Sequence, residues 1–406
     1  MNIMYERCAA IDIAKKEVVV CLSLPKHQES RSFGTMTHQL LELADYLAEH
    51  KVTHVAMEST GVYWKPIYNL FEGYDFELML VNPGDFKAVP GRKTDVKDAE
   101  WLADLLRHGL LRGSFVPKRD HRELRELVRY RKSLIEERAR ETNRLEKILE
   151  GANIKVSSVA STMTSVGVRA MLRAMVDGES DVKKLAEMAK GRMRSKIDVL
   201  EQALVGLMGP HQRFMLSEQL NHIEETEARI ERISQEIAER LRPFEEALQA
   251  LETIPGMGRK LAEAVVAEIG FDMGQFPTHK HLASWAKVCP GNNESAGKRK
   301  SGRTGKANKY LRSALVEAAH AASHTRGTYL SAQYHRLAAR RGKKRAAMAV
   351  AHSILVIIYY MLRDGTPYQE LGGNYFDELK EDRVVRRMER RLQNLGYEVT
   401  LKKKAA

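Results

Sequence analysis

Residues 8–24 read CAAIDIAKKEVVVCLSL, two apolar, β-branched runs separated by a polar AKKE turn. This is the pattern of a hairpin in a buried sheet. Two further short apolar runs follow, Thr53–Met57 and Glu77–Val81, with an amphipathic helical stretch around Leu40–Ala48 between the hairpin and the first of them. Strands mixed with helices over about 115 residues predict one α/β domain.

Carboxylates punctuate this region. Asp12 lies at the end of the first strand between Ile11 and Ile13, so its side chain takes the face opposite theirs. A carboxylate there is costly to bury unless it is paired or binds a cation. Glu58 follows the run THVAM at the mouth of another strand, and in KTDVKDAEWLADLL the residues Asp95 and Asp98 stand three apart at the start of a helix, on one face of it. Four carboxylates on three elements can converge on one or two divalent ions. Oxygen ligands suit magnesium, and a metal pair can serve the attacking and leaving oxygens of phosphoryl transfer. Taken singly, each has a plainer reading: Asp95 or Asp98 as a first-turn helix carboxylate favoured by the dipole, Glu58 as a turn cap.

Beyond residue 118 the pattern becomes helical. From Arg119 to Gly151 the residues Leu124, Leu127, Val128, Leu134, Leu145 and Ile148 form one stripe, and Ile223, Ile230, Ile233, Ile237, Leu241 and Phe244 recur at near-heptad spacing. Both predict long helices paired as an antiparallel or intermolecular coiled coil, with residues 152–216 a Met-rich helical insertion into the arm. After Pro243, LETIPGMGRKLA has the form of a helix-hairpin-helix, in which Gly256 and Gly258 let backbone N–H groups approach a phosphate and Arg259 and Lys260 are expected to join them in binding nucleic acid. A simple αα-hairpin with a Pro-Gly turn fits those residues equally well.

Next comes CPGNNESAGKRKSGRTGKANKYLR. Between Ala296 and Arg312 it holds seven basic residues, Lys298, Arg299, Lys300, Arg303, Lys306, Lys309 and Arg312, no acidic one, and glycines at 297, 302 and 305. A glycine-loosened basic loop suits a phosphate backbone. Ser295 stands at its front edge, where an activated hydroxyl could attack a phosphodiester, although chemistry alone does not separate it from Ser301 or Ser313. His320 and His324, four apart on a predicted helix without a third ligand, read as a packed or surface pair. The C-terminal helical region, 331–406, carries two basic clusters, Arg340 to Arg345 and Arg383 to Arg391, and a Lys-rich tail.

The net charge of +13 is unevenly spread. Residues 251–406 hold 28 Lys+Arg against 14 Asp+Glu, a net of +14, leaving 38 against 39 for residues 1–250. Such a segment attracts polyanions by counterion release, so nucleic acid is the leading partner and a merely solvated surface the plainer alternative. Cys8, Cys21 and Cys289 have neither disulfide-framework nor zinc spacing and fit a reducing cytoplasm. No signal peptide is expected, and the apolar run Ala346 to Leu362, shorter than a membrane span and holding His352 and Ser353, predicts a buried helix and no membrane role.

In this order and spacing, AAIDIAKK, AMESTGVYW, GRKTDVKDAEWLADLLRHGLL, IPGMG and CPGNNESAGKRKSGRTGKANKYLR resemble the DEDD-type insertion-sequence transposases, also known as bridge-RNA-guided serine recombinases. The resemblance implies an α/β plus all-α protein: a RuvC-like domain of the RNase H fold at 1–118, a coiled-coil arm at 119–250 for subunit association, and a helix-hairpin-helix and serine transposase domain at 251–330. A basic helical extension, 331–406, and the insertion at 152–216 exceed a minimal member. It implies that Asp12, Glu58, Asp95 and Asp98 bind Mg2+ and that Ser295, in its ESAG context, becomes covalently linked to DNA. It further implies donor and target DNA, a structured non-coding guide RNA that pairs with both, dimers assembling into a tetramer, and a cytoplasmic, nucleoid-associated setting. Two other readings compete: a RuvC-like nuclease or junction resolvase in which water attacks, and a non-enzymatic nucleic-acid-binding protein.

Overall fold

A computed structural model of the chain describes residues 2–82, 95–291, 293–302, 304–305 and 308–401, with backbone alone at 95, 293–295 and 299–301. The chain divides into two compact units, Met1–Arg119 and Asp120–Ala406.

The first unit is built on one sheet. Its strands are β1 (Cys8–Ile13), β2 (Glu17–Leu24), β3 (His27–Gly34), β4 (His54–Glu58) and β5 (Glu77–Val81), in the order β3-β2-β1-β4-β5. β2 runs antiparallel to β1 and β3, whereas β4 is parallel to β1 and β5 parallel to β4. This mixed order is consistent with the RNase H-like fold that the resemblance implied. Alternation sorts the side chains: Ile11, Val20 and Met57 face α1 (Thr37–Glu49) and α2 (Trp64–Phe71), while Cys8, Ala10, Cys21 and Ala56 face α3 (Asp95–Arg107). Burying Ile11 or Met57, each fully inaccessible, contributes roughly 1.5–3 kcal/mol. Small residues line the α3 face, so that helix lies close to the sheet through Ala99, Leu102, Ala103 and Leu106.

β3 is the element the sequence pattern did not announce. HQESRSFG has no apolar alternation, and only Phe33 in it is buried. It is an edge strand, held by its backbone ladder to β2, and its polar side chains blunt the free edge.

The second unit is helical. α4 (Arg119–Gly151) and α9 (Pro210–Leu241) run antiparallel within one chain, bridged by Arg240 to Glu123 at 3.2 Å, His222 to Glu137 at 3.2 Å and Arg138 to Glu227 at 3.5 Å. Between them come α5 (Val156–Val159), α6 (Val166–Val176), α7 (Val182–Glu187) and α8 (Ile197–Leu204). These short helices close a core of their own over the far ends of the pair, in which Val168 and Leu172 meet Leu145, Leu149, Leu216 and Leu220.

The rest of the unit comprises α10 (Glu245–Glu252), α11 (Arg259–Ile269), α12 (His279–Trp285), the hairpin β6 (Asn293–Ser295) and β7 (Lys298–Ser301), α13 (Lys309–His324), α14 (Tyr329–Arg341), α15 (Lys343–Asp364), α16 (Tyr375–Glu378) and α17 (Glu381–Asn394). α15 is longer than its apolar run and, by length and composition only, could cross a membrane. In the structure it serves as a core helix: Val350, Ile354 and Ile358 are fully buried, and the Tyr359 hydroxyl donates to the Phe276 carbonyl at 3.0 Å.

The turn between α10 and α11 depends on Gly256. Its φ is +84°, and a Cβ there would stand 2.4 Å from the Ala318 carbonyl oxygen and the Ala322 nitrogen of α13. Both the backbone conformation and the close approach of α13 exclude a larger residue. Gly256→Ala is therefore expected to destabilise the second unit by about 2–4 kcal/mol. Urea unfolding measures it, and an unchanged midpoint would contradict the packing of α13 on this turn.

Candidate active site

The sheet register decides where the first two carboxylates stand. β1 and β4 pair in parallel from Cys8↔His54 to Ile11↔Met57, so the next positions are Asp12 and Glu58, at the C-terminal ends of adjacent strands. Neighbouring strands are about 4.8 Å apart. Asp12 alternates with Cys8 and Ala10, and Glu58 with Ala56, so both belong to the face that α3 covers. Glu58 is only 6% exposed and accepts a hydrogen bond from Thr60 Oγ1 at 3.2 Å. Asp12 is half-buried.

α3 brings the third. Its last residue, Arg107, lies beside the start of β1: the Arg107 carbonyl accepts from the N–H groups of Met4 and Tyr5 at 2.9 and 3.1 Å, and its guanidinium donates to Ser23 Oγ at 3.3 Å. Ser23 is the register partner of Cys8. Nine residues back along the helix, about 13.5 Å at 1.5 Å per residue, is Asp98. Four residues along β1 from Cys8, about 13 Å at 3.3 Å per residue, is Asp12. Helix and strand run in opposite directions, so Asp98 lies toward the Asp12 end of β1. Asp98 also continues the buried stripe, one turn before Leu102. Asp95 opens the helix, and its side chain lies outside the described residues. Among the described residues no three His, Cys, Asp or Glu side chains gather as a ready-made metal site. The donor set is all oxygen, which fits a hard cation.

In the second unit the stretch read as a basic loop contains a hairpin. Ser295 pairs with Lys298 across a two-residue turn in which Ala296 and Gly297 both have positive φ, +49° and +73°. That is the backbone of the tight hairpin turns that follow strand twist. Ser295 thus ends β6 at the tip, beside an alanine held in a conformation that costs a non-glycine residue free energy. The side chains of Ser295, Arg299 and Lys300 lie outside the described residues, as do Arg303 and Lys306 altogether. Lys298, Lys309 and Lys260 are exposed, and Arg312 is half-buried. Ser313 is on α13, where the Lys132 ammonium donates to its hydroxyl at 2.9 Å.

The hairpin glycines have unequal roles. Gly256 is packed against α13, whereas Gly258 is exposed, has open space around it and precedes the first turn of α11. Arg259 is committed within the chain. Its guanidinium is held bidentately by Glu245 at 2.8 and 2.6 Å, and by Glu263 at 3.0 Å and Glu252 at 3.3 Å, which raises its pKa.

Residues 9–154 match a DEDD transposase family model of the IS110 type, described as "Transposase". Residues 248–335 match a second model, described as "Transposase IS116/IS110/IS902 family". These two regions are IS110-family transposase domains. A protein of Sinorhizobium fredii (strain NBRC 101917 / NGR234) named "Putative transposase y4qE" is 30% identical over 142 residues, which covers 32% of this chain and 35% of that protein. The chain therefore spans about a third of the length of the relative it matches.

The second IS110-family region is anchored by a residue that sequence reasoning passed over. Glu268 of α11 is 2% exposed. Arg129 of α4 donates to both its carboxylate oxygens at 2.7 and 2.8 Å, and Arg125 stands 3.3 Å away. Burial pushes the Arg125 guanidinium down to about 10, and Glu268 opposes that shift. Asn308 completes the group: its amide donates to Glu268 while its carbonyl oxygen accepts from the N–H groups of Tyr310 and Leu311, capping α13. The end of the serine-bearing segment is thereby fixed to α11. An Asn before KYLRSAL was a readable N-cap signal. Its acidic partner, 40 residues earlier, was not.

In the first IS110-family region two buried thiols, Cys8 and Cys21, lie on the carboxylate-bearing face. Burial pushes the Cys8 thiol up to about 11, against the opposite pull of Arg107, and burial also raises Cys21. An unfolded thiol titrates near 8.5. A folded pKa above the unfolded one gives stability that is complete below the unfolded value and lost as pH rises through the folded one. Melting temperature is expected to fall between pH 9 and 11, and to fall less in a Cys8→Ala/Cys21→Ala double variant. Parallel melting curves across that range would refute the assignment.

Proposed function

We propose that this chain cuts and rejoins DNA as an insertion-sequence transposase. The reading is supported by the β1–β4 register, which sets Asp12 and Glu58 at the ends of adjacent strands on the face that α3 covers, within the region matching a DEDD transposase model. In this reading Asp12, Glu58, Asp95 and Asp98 hold Mg2+. The ion, when bound, neutralises charge on the phosphate and lowers the pKa of an attacking hydroxyl.

Ser295 is the proposed nucleophile. Its oxygen bonds to phosphorus, one DNA oxygen leaves with the bonding electrons, and the serine proton passes through solvent to that oxygen, which departs as a free hydroxyl. Attack by the hydroxyl of another strand reverses the linkage and restores the serine, so no phosphodiester energy is lost to water. Lys298, Arg299, Lys300, Arg303, Lys306, Lys309 and Arg312, with Lys260 and the turn at Gly256 and Gly258, are proposed to hold DNA phosphates. Arg259, which meets Glu245, Glu252 and Glu263, is proposed to brace this turn. Target choice is assigned to a structured guide RNA, since base pairing can specify sequence while the protein reads backbone and shape. The helical arm is assigned to pairing of two copies, and two dimers to a tetramer.

Asp12→Asn and Glu58→Gln are each expected to lower strand transfer by about 10²–10³-fold while leaving DNA binding in place. Ser295→Ala is expected to remove a denaturant-resistant protein–DNA adduct. An adduct that persists in Ser295→Ala contradicts the serine assignment, and hydrolysed DNA ends without attached protein in the parent chain would favour attack by water.

A further inference from the structure

The two basic clusters of the C-terminal extension, Arg340 to Arg345 and Arg383 to Arg391, are about forty residues apart in sequence, and the fold brings members of both to one place. Between α14, α16 and α17 lies a cleft of about 630 Å³ lined by Arg336, Arg340, Lys380, Arg383 and Arg387, with Asp377 the acidic residue among its lining residues. Arg336 and Arg340 are one turn apart on α14, and Arg383 and Arg387 one turn apart on α17, so each helix presents a pair of guanidinium groups to the same cleft.

Several arginines of the same unit are held by carboxylates. Arg129, Arg131, Arg169, Arg173, Arg240 and Arg259 each meet a glutamate within 3.3 Å. In the cleft, Arg336 has Asp377 at 3.6 Å, while Arg340, Arg383 and Arg387 are exposed and take part in no ion pair among the described residues. Cations crowded in a concavity repel one another and favour a polyanion with a repeating charge. Arginine in place of lysine suits phosphate, which its planar fork can grip through two hydrogen bonds. The wall also offers an aromatic and an aliphatic surface, Phe376 and Val384, against which a sugar or base can rest.

We propose that this cleft is a second nucleic-acid site, which grips a phosphodiester backbone and lies almost wholly beyond both matched transposase regions. It stands independently of the transposase reading, since it needs neither the carboxylates nor Ser295. The test compares the full chain with Arg383→Gln/Arg387→Gln, and with Arg192→Gln/Arg194→Gln as a control that removes the same charge from an exposed turn. Anisotropy of a labelled DNA duplex and a labelled RNA hairpin is followed against salt concentration.

The cleft variant is expected to bind one or both probes about tenfold more weakly at low salt, with the slope of log affinity against log salt reduced by about 1–2. The control should stay close to the parent. Asp377→Asn, which deletes the acid at the rim, should change affinity in the opposite direction, so loss of fold cannot imitate the result. A duplex-only effect names DNA and a hairpin-only effect names RNA, and either supports the site. Equal loss in the control, unchanged slopes on both probes, or displacement of nucleic acid by polyglutamate as effective as by unlabelled nucleic acid would overturn it.

Discussion

The parallel pairing of β1 with β4 is the constraint on which the first unit depends. Strand side chains alternate with period two, so a slip of one residue would send Asp12 or Glu58 to the α1/α2 face and Ile11 or Met57 toward α3. Both faces are apolar and covered, which fixes the register. The two carboxylates therefore inherit their positions from the burial of their neighbours. α3 is placed by the same burial, since Ala99, Leu102, Ala103 and Leu106 can reach small residues of the sheet only along one line. Asp98 continues the same buried stripe, one turn before Leu102.

The second unit uses charge where the first uses shape. Glu268 is surrounded by Arg125, Arg129 and Asn308, which tie α4, α11 and the start of α13 to one carboxylate. A buried ion group of this kind adds little net stability over an apolar replacement, yet removing one partner is costly because the others are left buried and charged. Its contribution is to position: α13 begins where Asn308 can serve both its own helix and Glu268. Arg259 does the same for the α10–α11 turn through Glu245, Glu252 and Glu263.

Much of this was legible in the residues. The β-branched runs gave β1 and β2, alternation gave the face of Asp12, and the Asp-x-x-Asp spacing gave the first turn of α3. The polar edge strand β3 was hidden because its partner, and not its own composition, makes it a strand. The hairpin around Ser295 was hidden for a related reason: KRKS has no strand character alone, and a two-residue turn with both φ positive forms it. The ion group around Arg259 was hidden too, because only the fold assembles its three glutamates. The cleft between α14 and α17 was equally invisible, since Arg336 and Arg340 stand more than forty residues from Arg383 and Arg387 in sequence.

In the proposed site the ends of β1 and β4 and the first turn of α3 hold one metal centre. Replacing magnesium with ferrous iron and generating hydroxyl radicals at the bound ion cuts the backbone beside it. Cuts are expected to concentrate around residues 11–13, 57–59 and 95–99, to be lost together in Asp12→Asn and to be suppressed by excess magnesium. Cuts elsewhere, or cuts at these three places that survive Asp12→Asn unchanged, would contradict it.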